Sequence, residues 1–103
     1  MATPIIRILG LLRQAQKRGK STCSPYKCVI THDNICVSCY GHVIFKSAIP
    51  IKLESIEISG VSQMEINCIN TIFYFYDLKY YVSNKYEKSA ILRSNGVYIY
   101  DRV

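Results

Sequence analysis

Apolar residues recur along this chain with two different periods. From Thr3 to Lys20, TPIIRILGLLRQAQKRGK, they return every three or four positions. At 100° per residue, Ile5, Ile8, Leu9, Leu11, Leu12 and Ala15 share one half of a helical wheel, and Arg7, Arg13, Gln14, Lys17 and Arg18 take the other. Only Ile6 sits on the wrong half. Thr3 suits an N-cap and Pro4 the first helical position, where its missing N–H has no partner to lose. Gly19 is a plausible stop, and Gly10 weakens the helix by ~1 kcal/mol relative to Ala. The spacing predicts a basic amphipathic helix over residues 1–20.

From Lys27 onward the period shortens to two. YKCVIT and ICVSC flank the polar tripeptide His32-Asp33-Asn34, which predicts two strands and a turn. HVIFKSAI follows Gly41 as a further strand. IKLESIEI alternates at Ile51 and Leu53 and again at Ile56 and Ile58, with a slip near Ser55 that a β-bulge would explain; Gly60 ends it. MEINCINTIFYFY is apolar on both faces by Phe73 to Tyr76, which predicts a central strand. Asn95-Gly96 supplies the turn of a tight hairpin between Ala90–Arg93 and Val97–Arg102.

These elements predict an α+β fold over residues 1–103 as one domain. The N-terminal amphipathic helix precedes a β-rich body, residues 27–103, built as a mainly antiparallel sheet or roll of about seven short strands. The phrase VITHDNICVSCYGHVIFKSAIPIKLESIEI resembles the opening of pleckstrin-homology-like and GRAM-like β-rolls. In those, strand, polar turn and strand lead through an IP phrase into a strand carrying SIE. The resemblance covers about a third of the chain, implies a fold only and assigns no residue a role.

Charge sharpens the division. The net charge is +6, from 13 basic and 7 acidic residues. Arg7, Arg13, Lys17, Arg18, Lys20 and Lys27 all lie before any acid, and the remaining bases and acids cancel. A basic segment on a neutral body points to a polyanion. The apolar run IIRILGLL is short and broken by Arg7, unlike a secretory leader. INTIFYFYDLKYYV is broken by Asp77 and Lys79 and falls short of the ~20 residues of a membrane span. The expected location is intracellular, cytoplasmic or nuclear, with mitochondrial targeting by the helix as a further reading, and not secreted.

Four of the five cysteines fall in TCSPYKCVITHDNICVSCYGH, spaced Cys23-x4-Cys28-x7-Cys36-x2-Cys39. Four thiolates in two pairs could hold zinc, but the central gap is shorter than the ~12–15 residues typical of such sites. ICVSC also reads as a strand, on which residues three apart face opposite ways. Cys28, Cys36, Cys39 and Cys68 are therefore expected as small core residues, with zinc on Cys23, Cys28, Cys36 and Cys39 as the alternative and no cofactor otherwise.

Aromatic residues crowd the C-terminal half. They could stack nucleobases from a sheet face, yet FYFYDLKYY brings one base and one acid and so no positive field, and ordinary cross-strand packing is expected. No phosphate loop, nucleophile elbow or paired-carboxylate motif appears, and the chain reads as no enzyme. The expected function is a small binding protein whose Arg7, Arg13, Lys17, Arg18, Lys20 and Lys27 contact a polyanion, with nucleic acid favoured because the basic run continues past the helix. One alternative is an anionic membrane surface, with Ile5, Ile8, Leu9 and Leu12 inserted. Another is a viral accessory protein that binds a protein partner, or a second copy of itself, through the sheet.

Overall fold

The computed structural model describes residues 4–59, 62–94 and 96–102, with backbone alone at Pro4 and Ser94. Thr3, Gly60 and Asn95, to which the sequence assigns a cap, a strand end and half of a turn, lie outside the described residues. Helix α1 (Pro4–Arg18) leads into strands β1 (Lys20–Cys23), β2 (Tyr26–Ile30), β3 (Asn34–Cys39) and β4 (His42–Ala48). A 3₁₀ turn at Leu53–Ser55 precedes β5 (Glu57–Ile58), and helix α2 (Gln63–Phe75) precedes β6 (Tyr80–Ser83), β7 (Leu92–Ser94) and β8 (Val97–Asp101). The strands form two antiparallel sheets, β1-β2-β3-β4-β5 and β6-β8-β7. The fold is α+β, as the two periods predict.

Helix α1 ends where the sequence places its stop. Gly19 adopts φ +85°, its N–H reaches Ala15 O at 2.7 Å, and its carbonyl accepts the Ile30 N–H at 2.8 Å. The helix end is thereby stitched to the end of β2. Ile8, Leu11, Leu12 and Ala15 are buried, Leu9 is half-buried, and Ile5 joins Ile6 in solvent. The buried face is narrower than the wheel suggests, and β1, β2 and α2 are the elements against which α1 chiefly packs.

The β3–β4 hairpin turns at Tyr40 (φ 51°) and Gly41 (φ 82°), the positive pair that a two-residue hairpin needs. A register shift follows: Val37 faces Phe45 while Ser38 faces Val43, so Ile44 is the extra residue of a bulge and both Ile44 and Phe45 are buried. The bulge predicted near Ser55 is instead the 3₁₀ turn. Ser55 closes it, donating from Oγ to Lys52 O at 2.8 Å and accepting the Ala48 N–H at 3.2 Å. The IP phrase thus enters a turn and not the strand that the β-roll resemblance implies.

The predicted central strand at Phe73–Tyr76 is the end of helix α2. Ser62 Oγ accepts the Glu65 N–H and Glu65 Oε1 accepts the Ser62 N–H, a capping box that starts the helix. Ile66, Ile69, Ile72 and Phe73 recur at helical spacing and are buried. The segment reads as apolar on both faces because α2 packs against α1, β4 and β6. Phe73 meets Phe45 edge-on at 5.7 Å and Tyr80 at 6.2 Å, joining the large sheet to the small one. The helix stops at a Schellman motif: Leu78 N–H bonds to Phe73 O at 2.9 Å and Asp77 N–H to Tyr74 O at 3.0 Å, with Asp77 left-handed at φ 55°. Residues of both helices and both sheets belong to one core cluster.

Candidate functional site

The five-stranded sheet has one face on the helices and one face open. Alternation turns Tyr26, Cys28, Ile35, Val37, Cys39, Phe45 and Ile58 inward, where all are buried. Their neighbours turn outward. The register aligns Lys20, Val29, Cys36, Lys46 and Glu57 in one row across all five strands, and Thr22, Lys27, Ser38 and Val43 in the next. Lys20, Lys27 and Lys46 are exposed. Lys20 and Lys27 are diagonal neighbours, ~7–8 Å apart at the backbone. Glu57 is the single acid among these outward residues.

Helix α1 carries further exposed bases. Arg7 Nη2 donates to Ser24 O at 2.7 Å and lies 3.6 Å from Cys23 Sγ, which turns that flank of α1 toward the β1–β2 turn. Eleven residues on, Arg18 shares this flank at the helix end, immediately before Gly19 and Lys20. Arg13 and Lys17 face solvent. The carbonyl that holds Arg7 carries no net charge, so this contact leaves the guanidinium's net charge in place. Among the described residues the ion pairs are His32–Asp33, His42–Glu65 and Lys79–Asp101, and none uses a base of this surface.

The structure thus places Arg7 and Arg18 on one flank of α1, Lys20, Lys27 and Lys46 on the outward side of the sheet, and Arg13 and Lys17 in solvent elsewhere on α1. Sequence reasoning placed Lys46 in the charge-balanced body. The alternation around Phe45 in HVIFKSAI was the signal that turns it outward. Of the residues proposed to enter a membrane, Ile8 and Leu12 are taken up by the core, Leu9 is half-buried and Ile5 is exposed.

The cysteines divide between the two sides of the sheet. Cys28, Cys39 and Cys68 are buried on the core side, Cys23 is half-buried at the end of β1, and Cys36 is half-buried on the open face. Burial pushes the Cys28 and Cys68 thiols up to about 12, and raises that of Cys39. Cys36 faces away from Cys28 and Cys39, so the four zinc candidates do not converge. Among the described residues no group of three or more His, Cys, Asp or Glu could hold a metal ion. The expectation of core cysteines holds for Cys28, Cys39 and Cys68 and fails for Cys36, which β3 turns outward.

His32 lies in the exposed β2–β3 turn, 3.9 Å from Asp33. His42 Nε2 lies 2.9 Å from Glu65 Oε2, joining the start of β4 to the first turn of α2. No helix among the described residues is long and apolar enough to cross a membrane. No family model, curated protein or solved structure matches the chain.

Proposed function

We propose that the protein binds the phosphate backbone of nucleic acid through the surface that runs from α1 over β1 onto the open sheet face. The observation that carries this reading is that Arg7 and Arg18 on α1 and Lys20, Lys27 and Lys46 on β1, β2 and β4 are all exposed, with Glu57, opposite Lys46, as the one acid in the two outward rows. Lysines on a sheet face and arginines on a helix flank are point and forked donors for phosphate oxygens, and they act without regard to sequence. Binding would be driven by release of condensed counterions. The pairing of His42 with Glu65 ties the start of β4 to the capping box of α2 and gives both residues a structural use.

The test is anisotropy of a labelled oligonucleotide titrated with protein from 50 to 200 mM salt. Affinity should fall by at least tenfold over that range. A chain carrying Lys20→Gln, Lys27→Gln and Lys46→Gln should bind more weakly and lose about 2–3 from the log–log salt slope. Absence of binding at 50 mM salt, or an unchanged slope in the variant, overturns the reading. Retention on anionic vesicles with no affinity for oligonucleotide would favour the membrane alternative in its place.

A further inference from the structure

The small sheet has an outer face of its own, and the sequence does not announce it. FYFYDLKYY is split by the end of α2, so Phe73 enters the core while Tyr81 belongs to β6. The pairings Tyr81↔Tyr100, Ser83↔Tyr98 and Arg93↔Tyr98 put three tyrosines and an arginine on the side facing away from Val82, Ile99 and Leu92. Tyr81 and Tyr100 stack with centroids 5.1 Å apart and planes 19° from parallel. The Arg102 guanidinium lies over Tyr81 at 5.7 Å and that of Arg93 over Tyr98 at 5.8 Å. Tyr86, 67% exposed, meets Tyr98 at 5.3 Å.

The segment after β6 lies over the Tyr100 end of this face and leaves the Tyr98, Tyr86 and arginine part accessible. Tyr100 is buried, and its hydroxyl donates to Lys85 O and accepts the Glu87 N–H, both at 2.7 Å. These two bonds fasten the segment carrying Tyr86, Lys85 and Lys88 against the sheet. Neither Arg93 nor Arg102 enters an ion pair among the described residues, while Asp101 on the opposite side is paired with Lys79 at 3.1 Å. The positive field missing from FYFYDLKYY is therefore supplied by Arg93 and Arg102 across the ladder. Arg102 also lines a groove of about 560 Å³ between α1 and α2, with Leu9 and the exposed Tyr74 among its other walls.

We infer that this tyrosine–arginine face stacks unpaired nucleobases, so that the ligand class is single-stranded nucleic acid. Ring faces accept any base, a guanidinium lying on one ring can stack a base on its far side, and its N–H groups remain available to phosphate. A duplex hides its base faces and could use only the basic surface. The inference rests on the proposed nucleic-acid function and narrows it.

The experiment compares a 12-nucleotide fluorescein-labelled oligouridylate with a 12-base-pair RNA duplex. The chain has nine tyrosines and no tryptophan, so intrinsic fluorescence reports tyrosine directly. The single strand should bind more tightly than the duplex and quench that fluorescence. Tyr86→Leu with Tyr98→Leu should weaken single-strand binding roughly tenfold or more, leave duplex binding alone and leave the salt slope intact. Arg93→Gln with Arg102→Gln, both exposed, provides a second test should the leucine variant lose its native circular dichroism; it should weaken single-strand binding preferentially. Equal affinity for strand and duplex, or single-strand binding indifferent to both variants, overturns this inference while the salt-sensitive phosphate reading stands. No binding to either probe removes both.

Discussion

The side-chain amide of Asn70 holds both backbone groups of Val82: Nδ2 donates to the carbonyl at 3.1 Å and Oδ1 accepts the N–H at 2.7 Å. Helix α2 thereby continues the hydrogen-bond ladder of β6 beyond its free edge. Asn70→Ala leaves a donor and an acceptor beside buried Val82 without these partners, and should cost about 2–3 kcal/mol in urea denaturation. Faster amide exchange at Val82 would place the loss at that edge.

Glu65 is the second joint. Its Oε1 takes the Ser62 N–H and hydroxyl, and its Oε2 meets His42, whose side chain is 57% exposed against 12% for Glu65. Glu65→Ala should therefore destabilise by about 2 kcal/mol, and His42→Ala by a smaller amount. Equal losses in chemical denaturation would contradict this ranking.

Asp77 occupies a left-handed position at the end of α2 and places a carboxylate near the negative end of the helix. Both features favour glycine. Asp77→Gly should stabilise the protein by about 1 kcal/mol, seen as a higher melting temperature.

Cys28 and Cys68 ionise near 9 when free and are pushed up to about 12, first by burial and then by neighbouring thiols. Their contribution to stability is full below pH 9 and is lost as pH rises from 9 to 12, because the unfolded chain releases these protons first. Denaturation midpoints at pH 8, 9.5 and 10.5 should fall, and less steeply in a chain with Cys28→Ala and Cys68→Ala.

Cys36 lies between Val29 and Lys46 in the outward row of the large sheet, half-buried where Cys28 and Cys68 are fully buried. It should react with a thiol reagent at pH 8 before them. Saturation with an oligonucleotide should slow that reaction several-fold. An unchanged rate would move the ligand off the open face.

Helix α1 and the β2–β3–β4 hairpins were legible because one face of each is buried and the other wet, so the period survives in the sequence. Helix α2 was not, since neighbours on several sides made its surface apolar nearly all round. The Ser62-x-x-Glu65 cap was the readable sign that a helix starts there. Strand β1, KSTC, offers too little apolar pattern to be read, being four residues at a sheet edge. Four bases of the candidate surface, Arg7, Arg18, Lys20 and Lys27, could be named from charge order, whereas Lys46 required the pairing register. Arg93 and Arg102 join their tyrosines only across strands that are distant in sequence.

The packing of α1 on both the β1–β2 hairpin and α2 has a consequence for the growing chain. Residues 4–48 can pair locally as they emerge during synthesis, because each of the first four strands bonds to its sequence neighbour. The other wall, α2, begins only at Gln63. Until it arrives, the side of α1 that packs on α2 lacks that cover, and the nascent chain carries a partly bare apolar stripe beside its arginines. The arrival of α2 thus covers part of the apolar stripe that a wheel diagram displays, and leaves Ile5, 53% exposed, and the half-buried Leu9 at its margin.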